Sequence, residues 1–600
     1  MDLATLKALK PAEFENAADG YRATAAMADA AKDTVDNRIA AGIRNQLAGA
    51  TVRAALRELT AVSRNFQYVQ TECGLVSTAL NGFAFDMASA KRKLEAAIED
   101  ARADHCTVHA DGSVGYPAGR KPGAEKDTPG GTVTGSAGGD PTADALERQA
   151  ANIHPNPYYG VAVEYAGRIA DALREATEAD AKWEPKLRAL RADDDLVVSD
   201  RDWTDVTSDR GGVADAADTY LDSIEPPPKE ATPEESAAWW KGLTPEQRAD
   251  YLAVHPNAVG AMNGLPSDIR DDANRMVLDE TRAKYQLDLN TIPQEPVKYA
   301  PNTNGGYPAA VITAEWRQWN DKYGAKKDRL EGALKGMAAI QDRFDRTGEK
   351  GLPEAYPLGF DPTGLGDGRI ILANGNPDTA DHVGVWVPGT KASLESSGGD
   401  IGRAEKLWNA SHQLNPDQKI STVLWLDYNA PDHAIFQAPS GKYAEEGGPR
   451  LHDFLEGNRV AQQTADGTRS HTTVVGHSYG STVAGVSAQS GTWHDAKAVD
   501  DYVFAGSPGV QADHAGDLGV PGNHVWAMGA DSLDDGLVRW GGRLVGLGDN
   551  AAIPTDESFG GNIMKSDAEG HTGFYDEDSL SLFNQAAVIA GRYSKVSLEQ

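Results

Sequence analysis

After about residue 351 the chain repeats one alternation six times, and nothing else in it restricts the fold as strongly. Short apolar, β-branched runs, RIILAN (369–374), HVGVWVPG (382–389), STVLWLDY (421–428), HTTVVGHS (471–478), DYVFAGSPG (501–509) and NHVWAMGAD (523–531), are separated by stretches of helical period. Strands that are apolar throughout must be covered on both faces, and the helices between them are the crossovers that parallel neighbours need. Residues 351–600 are therefore expected to form an α/β domain around a mostly parallel sheet.

Upstream the period changes. Residues 11–103 place apolar residues three and four apart, as in LRELTAVSRNFQYV and LEAAIEDA, which predicts long amphipathic helices. The Gly-containing stretch 41–49 predicts a reversal between them, giving an antiparallel hairpin. Gly and Pro dominate 111–140, read as a linker or loop because too little apolar surface is present to offset the entropy of ordering it. Helical patterning returns over 141–190, and the prolines of Glu225-Pro226-Pro227-Pro228 later stiffen the chain. Thr244, Pro245 and Gln247 make a capping box, so a helix starts there and stops before Pro256; another begins near Ser267, after a Gly264-Leu265-Pro266 turn. A further helix spans about 313–346. Trp239 and Trp240 are assigned to packing rather than to the wall of a cleft. Six hundred residues exceed a single core. The expected division is a helical hairpin (1–110), the linker (111–140), a helical region (141–350) and the catalytic domain (351–600), an all-α region preceding an α/β one.

With 57 Lys+Arg against 89 Asp+Glu, the net charge is −32, a field that repels nucleic acid and anionic membrane surfaces. Cys73 and Cys106 are too few for a disulfide scaffold and wrongly spaced for a CxxC site; on one helix they would lie roughly 50 Å apart. No metal or cofactor is expected. No apolar run reaches the roughly 18 residues of a membrane span, and the first residues contain no apolar signal core. The expectation is a chain without a transmembrane segment, cytoplasmic or secreted without a conventional signal peptide.

The chemistry concentrates in Gly476-His477-Ser478-Tyr479-Gly480. This is G-x-S-x-G between a strand and a helical pattern, the setting of a nucleophile held on a sharp strand-to-helix turn. Serine needs a base, and the base an orienting carboxylate. In the order Ser, Asp/Glu, His, the turn after NHVWAM supplies Asp531 as the expected acid, with Asp534 and Asp535 as alternatives on a longer turn. His571, the last histidine, lies in a turn-rich stretch before a closing helix and is the expected base. His494, His514 and His524 are read as surface or packing residues, and His477 as structural, its side chain directed away from the triad. Two amides are expected to face the oxyanion: Tyr479 N–H, and one from Val387-Pro388-Gly389-Thr390, where Gly389, Thr390 or Lys391 can donate and Thr390 is preferred. Residues 536–567 are read as a long loop that either covers the pocket or is a surface insertion.

VPGT (387–390), WLDYNAP (425–431), GHSYGS (476–481) and GSPG (506–509) occur in the order found in an uncharacterised actinobacterial α/β-hydrolase family, which the last 250 or so residues resemble. The resemblance implies a serine hydrolase fold without supplying a substrate. WWKGLTPEQR and GLPSDIRDDANR also resemble the helical region that precedes the hydrolase in such proteins. The N-terminal hairpin is similar to WXG-type hairpins linked to type VII secretion but has no Trp-x-Gly at its turn, and Tyr68-Val-Gln-Thr-Glu72 matches the Y-x-x-x-[DE] spacing from within a helix. Two readings follow. One is a serine esterase or lipase-like enzyme acting on a small-molecule or lipid ester, with thioester or peptide hydrolysis using the same parts. The other is a helical scaffold or secretion-linked effector that works through protein partners, with the hydrolase domain secondary.

Overall fold

The computed structural model describes residues 1–136, 149–191, 197–301, 310–364, 366–432, 441–465, 467, 469–491, 498–544, 547 and 552–599. Its C-terminal part is built on eight strands: β1 (Ala355–Asp361), β2 (Arg369–Asn374), β3 (His382–Val387), β4 (Ile420–Leu426), β5 (His471–His477), β6 (Asp501–Ala505), β7 (Val525–Met528) and β8 (Asn562–Ile563). Their order across the sheet is β1-β2-β4-β3-β5-β6-β7-β8. β2 runs antiparallel to both neighbours and every other pairing is parallel. This is an α/β-hydrolase sheet.

All six runs identified from the alternation are strands, and every residue of β3 and β4 is buried, as a doubly covered sheet requires. Two helix pairs cover it, Ser397–Leu414 with Leu580–Ile589 and Lys442–Ala465 with Tyr479–Gln489. The two strands the alternation misses are at the edges. β1 carries Pro357 and Gly359, which break a strand pattern and are tolerated because β1 is an edge strand with a register shift between those residues. β8 has only two residues.

In the N-terminal part, helix Pro11–Asp33 lies antiparallel against the 54-residue helix Ala50–Ala103. The pairing is read from Lys91 with Leu9 O, Phe83 with Phe14 and Gln67 with Lys32, and the reversal passes through Gly49 at φ 125°. Cys73 lies on the long helix and Cys106 just beyond its end; both are free thiols. Trp239 and Trp240 are buried in a small apolar cluster with Val259 and Leu265. The capping boxes at Thr232 and Thr244 are both formed.

Residues 111–136 depart from the linker reading. Strands Thr107–Val108, Val114–Tyr116 and Gly131–Val133 pair as a small antiparallel sheet. Composition missed this because the ordering comes from elsewhere: Asn156 Nδ2 donates to the carbonyls of Pro117, Thr128 and Pro129. The first part of the helical pattern at 141–190, residues 141–148, lies outside the described residues; a short helical stretch at 149–153 and helix Tyr159–Ala189 follow.

Helix Ser267–Asn290 joins the helical region to the sheet. Asn274 Nδ2 and Arg275 Nη2 donate to the β1 carbonyls of Pro357 (2.9 Å) and Ala355 (2.7 Å). Its first residue is held by Asp378, which accepts from Ser267 N and Oγ, each at 2.6 Å. Among the described residues, no helix is long and apolar enough to cross a membrane.

Candidate active site

β5 ends in a tight turn. Ser478 has φ 53° and ψ −127°, a conformation that costs a residue with a side chain about 1–3 kcal/mol. The surroundings impose it: Ser478 N–H donates to Ala505 O of β6 at 3.0 Å, and helix Tyr479–Gln489 begins at the next residue. The flanking glycines are requirements of space. A Cβ at position 476 would lie 2.5 Å from Ser481 Cα, and one at 480 would lie 2.2 Å from Val387 O. Further along the helix, a Cβ at 485 would lie 2.1 Å from Val510 O, so the glycine there lets the helix close on the segment after β6.

His571 Nε2 is 2.8 Å from Ser478 Oγ, and His571 Nδ1 is 2.7 Å from Asp535 Oδ1. The expected serine and histidine thus meet across 93 residues of sequence. The carboxylate bonded to the His571 ring is not that of Asp531. That residue is exposed, with no hydrogen bond to His571, and Asp535, four positions on and fully buried, takes the place. The reason is local. β7 ends at Met528, the chain crosses 529–532 without regular structure, and helix Leu533–Leu544 then begins. The inward-facing carboxylate lies on the helix's first turn, and its Oδ2 accepts from Ala530 N at 2.8 Å. Arg539 Nε lies 3.0 Å from the same oxygen, at ion-pair distance but off the line of a hydrogen bond. Gly506, at φ 59°, makes room for the pair, because a Cβ there would lie 2.7 Å from Asp535 Oδ1 and 2.9 Å from His571 Cε1.

Two neighbours hold the His571 backbone. Its N–H donates to Asp534 Oδ2 at 2.9 Å, so the alternative acid grips the amide instead of the ring. Hydrogen bonds from Ser532 and from that amide bring the Asp534 carboxyl down to about 2. On the other side His477 Nε2 donates to His571 O at 2.8 Å, with the two rings 5.1 Å apart. His477 is therefore structural but not directed away from the site. Burial, and next the neighbouring His571, lower its pKa from 6.5 to about 3. The folded state thus resists a proton that the unfolded chain accepts. The stabilisation is complete above pH 6.5 and is lost as pH falls from there towards 3, at about 1.4 kcal/mol per pH unit. Urea midpoints between pH 7 and pH 4 are expected to fall less steeply for His477→Gln than for the wild type, by the equivalent of one proton; equal slopes would remove this role.

A pocket of about 360 Å³ opens at Ser478, with Trp386, Thr390, Lys391, Asp400 and Arg403 in its walls. Arg403 Nη1 donates to Asp400 Oδ1 at 2.7 Å, and burial pushes the Asp400 carboxyl up to about 6. The parallel register of β3 and β5 brings the 387–390 turn beside Ser478, where a Cβ at Gly389 would lie 2.7 Å from Ser478 Cβ. Lys391 N–H is occupied by Pro431 O at 2.9 Å, which leaves Gly389 and Thr390 of the three amides considered. Tyr479 N–H belongs to the first turn of a helix, whose amides have no acceptor within it.

Of the remaining histidines, His524 bonds Asp501 at the start of β6 and His514 bonds Ser558 O, while His494 lies outside the described residues. The stretch 536–567 is not a single loop: besides helix Leu533–Leu544 it contains β8 and a helical turn, Glu557–Phe559. The signal missed was the spacing of Leu533, Leu537 and Trp540, an apolar stripe of helical period that the structure leaves exposed. Among the described residues no group of acids, histidines or cysteines is arranged to hold a metal ion.

Residues 361–537 match a family model described as alpha/beta hydrolase. An uncharacterized protein of Mycobacterium tuberculosis is 29% identical over 406 residues, covering 61% of this chain and 56% of that protein. A second uncharacterized protein of the same organism is 32% identical over 173 residues, 27% of this chain and 61% of its own length. The chain thus spans little more than half the length of these curated relatives. Among solved structures, a Pyrobaculum calidifontis esterase aligns over 46% of this chain and 98% of its own, with 13% identity and a TM-score of 0.25.

Proposed function

We propose that the protein is a serine hydrolase of carboxylic esters. The observation that carries this reading is the unbroken chain from Ser478 Oγ through the His571 ring to Asp535. Ser478 attacks the ester carbonyl while His571 Nε2 takes its proton. Asp535 keeps the Nδ1 proton in place and balances the imidazolium as it forms. The tetrahedral oxyanion lies between Tyr479 N–H and Thr390 N–H. Each such donor contributes about 3–4 kcal/mol to lowering the barrier. His571 then returns the proton to the leaving alcohol, and water, activated by the same ring, clears the acyl-enzyme.

The pocket favours a short, polar substrate over a long acyl chain. Its volume is near the lower end of the roughly 300–1,000 Å³ usual for ligand sites, and Thr390, Lys391, Ser396, Asp400 and Arg403 line much of it. Thioester or peptide cleavage uses the same groups, and ester hydrolysis makes a lower demand on the leaving group than peptide cleavage does. At neutral pH a fluorophosphonate is expected to label the protein once, at Ser478, and kcat/KM for p-nitrophenyl esters to fall from acetyl to octanoyl. A folded protein that takes no label refutes the serine mechanism. A rising profile with chain length refutes the short-substrate assignment alone.

A further inference from the structure

A second cleft, of about 460 Å³, lies where helix Ser267–Asn290 meets the sheet. Arg270 and Lys284 of the helix, Asp361 at the end of β1, Arg369 at the start of β2 and Asp427 just after β4 line it. Because β2 is antiparallel, Arg369 shares a rim with the C-terminal ends of β4 and β5. β4 is two strands from β5, about 10 Å across the sheet.

Arg270 is the anomaly. It is 4% exposed. Its Nε donates to Gly260 O at 3.3 Å and its guanidinium lies 5.9 Å from the Phe454 ring centre, yet among the described residues no carboxylate is within ion-pair distance. The two acids that act on it from further away, Asp378 and Asp427, are engaged elsewhere. Asp378 is held by Ser267, and Asp427 accepts from Arg369 Nη1 at 2.8 Å and faces Arg450 Nη1 at 3.5 Å. Burial lowers the Arg270 pKa to about 10. Arg369 gives its Nη atoms to Asp427 and Asp361 but keeps a buried Nε that has no acceptor among the described residues. Three cations thus line the cleft against two carboxylates, in a chain of net charge −32. A buried cation without a counter-ion is costly, and a bound anion removes that cost.

We propose that this cleft binds a small ligand bearing an oxyanion, a phosphate ester or a carboxylate, anchored by Arg270 with Lys284 at the mouth. Asp361 and Asp427 repel a second anionic group and accept hydrogen bonds, so hydroxyl or amine donors belong at the far end of that ligand. The proposal stands apart from the hydrolase reading, since none of these side chains bonds Ser478, His571 or Asp535.

The test uses the intact chain, with binding measured by calorimetry and thermal shift for inorganic phosphate and for lactate, a hydroxyl-bearing monocarboxylate, each against sodium chloride of equal ionic strength. One of the two is expected to bind the wild type and raise its Tm, and the stronger identifies the phosphate or the carboxylate class. Arg270→Met is expected to be at least as stable as the wild type in chloride, because Gly260 O keeps Asn274 Nδ2 as a donor, and to bind about tenfold or more weakly. Lys284→Ala is expected to bind about threefold more weakly, and Ser478→Ala as tightly as the wild type. No binding of either anion to the wild type overturns the proposal. So does an unchanged affinity in folded Arg270→Met, or loss of binding in Ser478→Ala, which would put the anion in the catalytic pocket. Should Arg270→Met not fold, unchanged affinity in Lys284→Ala overturns it and weakened affinity supports it.

Discussion

Ser478→Ala is expected to lower kcat on a short activated ester by about a millionfold while the protein stays folded. The two halves of that expectation have separate causes. The turn is held by the backbone bond from residue 478 to Ala505 O and by the glycines at 476 and 480, none of which involves the hydroxyl. Alanine bears the same left-handed φ of 53° as serine, and losing one partly buried hydrogen bond to His571 costs about 1 kcal/mol. Chemistry loses far more, because among the described residues no other nucleophile is bonded to His571 Nε2. The residual rate over water, about 10³ to 10⁴, comes from oxyanion stabilisation and positioning. Steady-state kcat together with thermal unfolding by circular dichroism checks both halves. Turnover within about a hundredfold of the wild type, in a protein that melts normally, would mean that another group attacks the ester.

What could be read ahead of the structure follows how local each feature is. The Ser478 turn was legible because its constraints lie within five residues: two glycines that no side chain can replace, an apolar strand before and a small-residue helix after. His571 was legible from chain order and from its turn before the last helix. The carboxylate beside His571 was legible only as an alternative, because a strand followed by Gly529-Ala530-Asp531 suggests a carboxylate at the strand's end, whereas the chain bends through 529–532 before presenting Asp535 from the next helix. The role of His477 was hidden for a related reason: its partner, the carbonyl of His571, is 94 residues away. Arg270 was the least legible of all. Within SDIRDDANR it reads as one more charge on a wet helix face, with acids beside it. Asp271 pairs with Arg275 one helical turn on, and the packing of that helix on β1 leaves Arg270 buried with no counter-ion among the described residues.

Asp535→Asn is expected to lower kcat by about 10⁴-fold at neutral pH with little change in KM, whereas Asp531→Asn leaves both within about twofold. Asparagine has the shape of aspartate and can still accept from Ala530 N–H, so a site that is fully buried stays filled. The change lies in the proton. A carboxylate accepts the Nδ1 hydrogen of His571 and leaves Nε2 free to take the proton of Ser478. An amide whose oxygen is held by Ala530 N–H instead points its NH₂ at Nδ1, which drives the ring to the tautomer with hydrogen on Nε2. That nitrogen then faces Ser478 Oγ as a donor and cannot act as the base. Since the ground-state contacts of the substrate are untouched, the loss falls on kcat. Asp531 shares the turn but not the bond, and its exposed carboxylate is exchanged for an amide without consequence to His571. A large loss in Asp531→Asn with Asp535→Asn near wild-type rate would reverse the assignment. Losses in both would point to the turn itself, which thermal unfolding of the two variants distinguishes from a broken relay.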